Sequence, residues 1–214
     1  MTQVKIELKE FESIPTSILS DVLGRSQTMD SGIGMLRSIY PIVGRAYTVK
    51  AMVGCNLGTH LALYYARKGD IIVVDAGGYE DRSVWGGLQS YVAQKRGIKA
   101  TIVDGAIRDK IDHINMGYCV CARNVSPAGP HKGWFDELQV PISCGGVVVN
   151  PNDIIVIDAD GIVVIPSQKA EEALEKAKER VDEEVEWKKR IDKGEKLYEI
   201  LGLDKNVEFF QNRR

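Results

Sequence analysis

The sequence is poor in the features that mark several large protein classes. It has only four cysteines, Cys55, Cys119, Cys121 and Cys144. They are too few and too scattered for a disulfide framework or a zinc quartet, so buried reduced thiols are expected. Cys119 and Cys121 alternate in a strand-like run, which places both thiols on one face. No apolar run approaches the roughly 18 residues of a membrane span. The opening MTQVKIELKEFES lacks the apolar core of a secretory signal, and a cytoplasmic protein is expected. The formal net charge of −2 supplies no global field, so neither nucleic acid nor a membrane is an expected partner. Internal repeats and low-complexity tracts are absent. What is present is ordinary for a globular chain, with 44% hydrophobic and 27% charged residues. At 214 residues the length suits one domain spanning 1–214, able to bury roughly 70% of the unfolded surface.

The most informative stretch is GGLQSYVAQKRGIKATIVDGAIRD, from Gly86 to Asp109. Gly86-Gly87 opens a helix running to Lys95-Arg96, and Gly97 stands where a C-cap glycine belongs. Ala100 to Asp104 is a β-rich apolar run, after which Gly105 is expected to turn the chain and present Arg108-Asp109. Upstream, Gly69 to Gly78 reads as a strand, Ile71 to Asp75, and its exit loop. A right-handed crossover makes the two strands parallel. The helix start and the Arg108-Asp109 loop then share the rim at the strands' carboxyl ends, where open α/β sheets bind ligands. Glycines at a helix start leave the N–H groups of Gly87, Leu88 and Gln89 as an anion cradle. Arg108 adds a fork suited to carboxylate or phosphate. Asp109 is a hard oxygen ligand suited to Mg²⁺ or Mn²⁺. Together they describe a site for a small α-keto acid or a phosphate. The competing reading is close helix–strand packing with a solvated Arg-Asp pair.

The remaining segments read as follows. An amphipathic helix lies within residues 1–24, capped at Ser13 to Thr16. Val43 to Val53 is a strand and Asn56 to Arg67 a helix, on which His60 has packing or surface as its default role. Asp109 to Met116 is a short helix, Tyr118 to Ala122 a strand, and Arg123 to Trp134 an irregular loop holding His131-Lys132. Leu138 to Ile142, Gly146 to Val149, Ile154 to Asp158 and Ile162 to Ile165 are short strands. Asp158 to Gly161 reads as a hairpin turn rather than a calcium loop, because an EF-hand's bounding Glu and helices are missing. Gln168 to Lys193 is a long charged helix with a narrow seam of Ala170, Leu174, Ala177, Val181 and Val185, of the kind that lies across a neighbour. A short helix spans Glu195 to Leu201, and the tail from Asp204 reads as loosely held.

In this order and spacing, the chain resembles the RraA-like family, which includes 4-hydroxy-4-methyl-2-oxoglutarate aldolases and regulators of ribonuclease E activity. The resemblance is carried by Ser20 to Leu23, Gly44-Arg45-Ala46-Tyr47-Thr48-Val49, Gly69 to Asp75 and Gly86-Gly87-Leu88. It continues through Val103-Asp104-Gly105-Ala106-Ile107-Arg108-Asp109, Ser126-Pro127 and Asp160 to Pro166. It implies an α/β fold with a swivelling β/β/α domain and a long C-terminal helix. It also implies a homo-oligomer, a trimer or dimer of trimers, with active sites between subunits. By resemblance Arg108 binds the pyruvate moiety, Asp109 holds Mg²⁺ or Mn²⁺, and amides at Gly86, Gly87, Leu88 and Gln89 receive the substrate carboxylate. Glu184 from a neighbouring subunit, with Glu183 and Glu186 as rivals, is the expected water-activating glutamate. Metal-dependent members often carry an aspartate where this chain has Gly87. The activity implied is class II aldol cleavage of 4-hydroxy-2-oxo acids to pyruvate, with oxaloacetate decarboxylation alongside. Two alternatives are a non-catalytic regulator docking on a ribonuclease and a related enzyme acting on a sugar acid.

Overall fold

The computed structural model describes residues 7–36, 41–133 and 136–211. The first six residues, Trp134 and residues 212–214, which the sequence readings touch, lie outside them. In chain order the strands are β1 Gly34–Met35, β2 Ile42–Lys50, β3 Ile71–Trp85, β4 Ala100–Ile107, β5 Cys119–Val125, β6 Glu137–Leu138, β7 Ile142–Cys144, β8 Val147–Val149, β9 Ile154–Ile157 and β10 Ile162–Ile165. The helices are α1 Thr16–Val22, α2 Leu57–Tyr65, α3 Gly87–Lys95, α4 Lys110–Met116, α5 Ala170–Asp192, α6 Leu197–Ile200 and α7 Asp204–Gln211.

The main sheet runs β1-β5-β4-β3-β2-β9-β10, with β6 also on β2. The central β2, β3, β4 and β5 are mutually parallel, as the helical crossovers require. The sheet curls at β2, whose residues 42–45 pair with β9 while 46–50 pair with β3. Gly44 sits at this changeover, where a Cβ would lie 2.6 Å from the Gly69 carbonyl. Strand alternation then sorts the core. Ile72, Val74 and Val103 face α2 and α3. Ile71, Val73, Ile102, Cys119 and Cys121 face the β7–β8 hairpin and Ile155 and Ile157 of β9. Ile154 and Val156 point the other way, under α1 and α5. The result is an α/β domain of the swivelling β/β/α type, with a curled sheet and a long C-terminal helix.

Several sequence boundaries move. Asp75 does not end β3, and Gly105 does not turn the chain. Both strands continue past bulges that shift the register, with Tyr79 opposite Gly105 and Trp85 opposite Ile107. Gly105 is a close-approach glycine, since a Cβ there would be 2.9 Å from the Tyr79 carbonyl. The expected strand from Leu138 to Ile142 splits, because Gln139 is left-handed and Pro141 has no N–H. The tail from Asp204 is helical. Asp158 to Gly161 is the β9–β10 hairpin turn as expected. In α5 the seam is buried through Ala177, but Val185 is 47% exposed, so the second half outruns its own domain. Among the described residues no helix is long and apolar enough to cross a membrane.

Candidate active site

The ends of β3 and β4 meet at one rim. The Arg108 N–H donates to the Trp85 carbonyl at 2.9 Å, which sets Gly86 directly beside Arg108 and Asp109. A Cβ on Gly86 would stand 2.8 Å from Asp109 Oδ2 and 3.2 Å from Arg108 Nε, so a larger residue would push those two side chains aside. The start of α3 is fixed by a buried network. Gln89 Oε1 accepts from the Gly86 N–H, and Gln89 Nε2 donates to Thr59 Oγ1 at 2.8 Å. Trp85 Nε1 donates to Ser90 Oγ at 2.7 Å. The Gln89 side chain thus caps its own helix and reaches α2.

Asp109 adopts a left-handed backbone, φ 60°, unusual for a residue with a side chain. That conformation folds its carboxylate back so that Oδ2 accepts the Gly87 N–H at 2.9 Å. Arg108 Nε lies 3.5 Å from the same oxygen, a loose pair with both side chains nearly half exposed. The cradle is therefore narrower than the sequence suggested. The Gly87 amide serves Asp109 and the Gln89 amide serves the Gly86 carbonyl. Among the described residues the Leu88 N–H has no protein acceptor and stands ready for an anion at the α3 N-terminus. Gly87 is also explained locally: a Cβ there would meet Asp112 Oδ2 at 2.9 Å. An aspartate at position 87 would first have to displace Asp112.

Three histidines occur, and the sequence reading passed over the most constrained one. His113 is fully buried and bonds through Nε2 to the Arg108 carbonyl at 2.7 Å. A carbonyl only accepts, so the ring carries its proton on Nε2, and Nδ1 is left buried without a partner. Burial holds its pKa below the usual value, partly offset by that carbonyl and by Asp109 and Asp112. A neutral His113 therefore anchors the loop that carries the site.

A cleft of about 370 Å³ opens over this rim, lined by Gly86, Leu88, Arg108 and Asp109 together with Asn56, His60 and Lys132. His60, whose default reading was packing or surface, and Lys132 of the irregular loop are thus brought into the site. His60 Nε2 lies 3.2 Å from Asn56 Nδ2. Burial and then the Lys132 charge depress its pKa, so the imidazole is neutral at neutral pH. The loop after β5 is pinned. Ser83 holds the Ala128 carbonyl with its N–H and its hydroxyl, and Arg82 Nη1 holds the Gly129 carbonyl. Asn56, His60, Gly129 and Pro130 carried no sequence signal beyond a lone histidine and a Gly-Pro turn. Glu184 does not line the cleft of its own chain. No three His, Cys, Asp or Glu side chains converge as a metal cage among the described residues. The single carboxylate of Asp109, with Oδ1 unengaged, instead fits Mg²⁺ or Mn²⁺, which keep several waters and take one or two carboxylates.

Comparison with known proteins adds a family to this geometry. The family model described as RraA-like, Aldolase/RraA, matches residues 16–164. The chain belongs to the RraA-like family. A relative from Halalkalibacterium halodurans, named "Putative 4-hydroxy-4-methyl-2-oxoglutarate aldolase", is 39% identical over 181 residues, covering 84% of this chain and 86% of that one. The structure of an uncharacterized protein from Pseudomonas syringae superimposes with a TM-score of 0.78 at 28% identity, covering 90% of this chain and 95% of that one. The RNA-processing inhibitor RraA from Thermus thermophilis shares the fold, with a TM-score of 0.66 at 24% identity over 71% of this chain and 92% of its own. The RraA-like fold thus carries both aldolase names and a regulator's name.

Proposed function

We propose that this RraA-like protein is a lyase that cleaves 4-hydroxy-2-oxo acids, such as 4-hydroxy-4-methyl-2-oxoglutarate, to pyruvate, and decarboxylates oxaloacetate as a side reaction. The observation that carries the reading is the open rim: the unpaired Leu88 amide, the loosely held Arg108 and the Asp109 carboxylate share one cleft. The Leu88 N–H and the α3 N-terminus receive the substrate's C1 carboxylate. Arg108 faces the C2 oxygen. When a water near the site takes the 4-hydroxyl proton and the C3–C4 bond breaks, C4 departs as a carbonyl, the electron pair moves into the pyruvate fragment, whose C3 then takes a proton, and negative charge grows on that oxygen in between. A guanidinium there stabilises the enolate in the transition state. Asp109 would hold Mg²⁺ or Mn²⁺, which supplies Lewis-acid polarisation of the keto group. Decarboxylation of oxaloacetate generates the same enolate, so the same residues serve it.

The reading extends to a homo-oligomer, a trimer or dimer of trimers, in which Glu184 of a neighbouring subunit steers a water near the site. The exposed second half of α5 supports such an arrangement, because Glu184 and Val185 stand where the helix leaves its own core. The decisive assay is pyruvate release from oxaloacetate and from 4-hydroxy-4-methyl-2-oxoglutarate, with Mg²⁺ or Mn²⁺ against EDTA. Activity that survives EDTA argues against the metal. Its absence with every divalent ion argues against a lyase and favours a binding role. Asp109→Asn separates charge from position, since an amide oxygen still accepts the Gly87 N–H. The variant should keep its melting temperature while losing Mn²⁺ binding in a spin-resonance titration.

A further inference from the structure

A second cavity, of about 380 Å³, lies at the other end of β3 from the rim, where the strand begins. That volume falls in the roughly 300–1,000 Å³ range of small-molecule sites. Its wall is cationic. Arg45 comes from β2, and Arg67 and Lys68 from the short connection between α2 and β3. None of the three forms an ion pair among the described residues. The acid in the wall, Asp70, is engaged by the connection itself. Its Oδ2 accepts the Arg67 N–H at 2.7 Å, and its own N–H donates to the Arg67 carbonyl at 3.1 Å. Three cations and one carboxylate leave an excess of two positive charges. Basic residues just past a helix C-terminus offset the helix dipole, and Arg67 and Lys68 follow α2 in that way. The dipole accounts for neither Arg45 nor Tyr47. Arg45 Nη1 donates to the neutral Asn152 carbonyl at 3.1 Å, which steadies the guanidinium and leaves its charge unmatched. Tyr47 is 6% exposed, packed in the core with Leu63 and Ala66, and it lines the cavity with no protein partner for its hydroxyl among the described residues. Burial holds the phenol above its usual pKa, so it keeps its proton as a donor.

We propose that this cavity is a second ligand site, separate from the rim cleft, and that it takes a small phosphate monoester. Such a group carries about −1.5 to −2 charge at neutral pH and three strong acceptor oxygens, which suits two guanidinium forks, an ammonium and a phenol donor. A single carboxylate brings about half that charge and leaves donors unused. Calorimetric titration of the full chain with glycerol 3-phosphate tests this, with glycerol as the uncharged control. The wild type should bind glycerol 3-phosphate and not glycerol. Arg67→Gln, at an exposed position, should weaken binding tenfold or more. Tyr47→Phe, which removes only the hydroxyl, should weaken it about fivefold. Both variants should melt as the wild type does. Arg108→Ala should bind the probe with unchanged affinity, because the rim is elsewhere. A wild type that does not bind the probe, or affinity that Arg67→Gln and Tyr47→Phe both leave intact, overturns the proposal. Binding lost in Arg108→Ala puts the phosphate at the rim and overturns it as well. The lyase reading is tested separately by pyruvate release, which Arg67→Gln should leave unchanged in the absence of the probe.

Discussion

Two arginine–aspartate pairs, one anchored on β4 and β5 and one just beyond the end of β4, behave in opposite ways. Arg123 bonds Asp104 through Nε and Asp30 through Nη1, and Asp104 takes the Gly145 N–H at 2.6 Å on its other oxygen. Their side chains are only 20% and 10% exposed. Those two carboxylates raise the Arg123 pKa further above its ordinary value. Arg108 and Asp109 are adjacent in sequence, separated by 3.5 Å, and 46% and 40% exposed. The first pair is saturated and ties β4, β5 and the turn before β8 together. The second keeps its hydrogen-bonding capacity for something that is not protein. In the sequence Arg108-Asp109 reads as a loop and Arg123 as the start of another, and how fully their bonds are engaged is what separates scaffold from site.

The comparison can be broken experimentally, and the largest effect is expected at the open pair. Arg108→Ala should cost about 3 kcal/mol or more of transition-state stabilisation, a hundredfold or greater loss in kcat/KM, with little change in melting temperature. Near-normal turnover would remove Arg108 from the chemistry. Arg123→Ala should do the reverse. It leaves the largely buried Asp104 carboxylate without its cation and should cost about 3 kcal/mol of stability in urea titration. A melting curve like the wild type's would show that the pair is not structural.

A smaller effect is expected at the anchor beneath the site. His113→Leu leaves the Arg108 carbonyl without its donor and should cost about 2 kcal/mol, with KM rising as the loop loosens. His113→Gln, which can still donate, should recover part of both. The pH dependence follows in sign. In the unfolded chain an imidazole protonates near pH 6.5. In the fold His113 and His60 are held below that, by burial first in each case. Between the folded values and about 6.5 the unfolded chain binds more protons, so stability falls as acid is added and is flat above. His113→Gln should lessen the drop in melting temperature between pH 7 and pH 5. The smallest change is expected for Gly129→Ala. The new methyl presses on the flexible end of Arg108, and KM should shift about twofold, within the roughly 0.5 kcal/mol typical of a mild surface substitution.

Much of this architecture was legible before the fold. The β-loop-α-β unit, the shared rim at the carboxyl ends and the Asp158–Gly161 hairpin all follow from local periodicity and turn residues. The failures share a cause. Asp75 and Gly105 look like strand ends because Gly77-Gly78 and Gly105 resemble turns, yet the ladder resumes across the bulges. Whether a glycine turns the chain or admits a neighbour depends on what approaches it, and local sequence does not record that. The same holds for the amides of Gly87 and Gln89, which a helix-start argument leaves free and the fold spends internally.

By itself, then, the order of residues determined the strands, the helix starts and the adjacency of Arg108 to Asp109, because these rest on contacts between near neighbours in the chain. Only the tertiary structure decided that His113 holds the Arg108 carbonyl, that Asp109 folds back onto Gly87, and that Asn56, His60 and Lys132 face the same cleft. Those juxtapositions join segments from α2, the β4–α4 loop and the loop after β5. They exist because the crossovers bring distant residues to one sheet edge, and no local pattern encodes which side chains meet there.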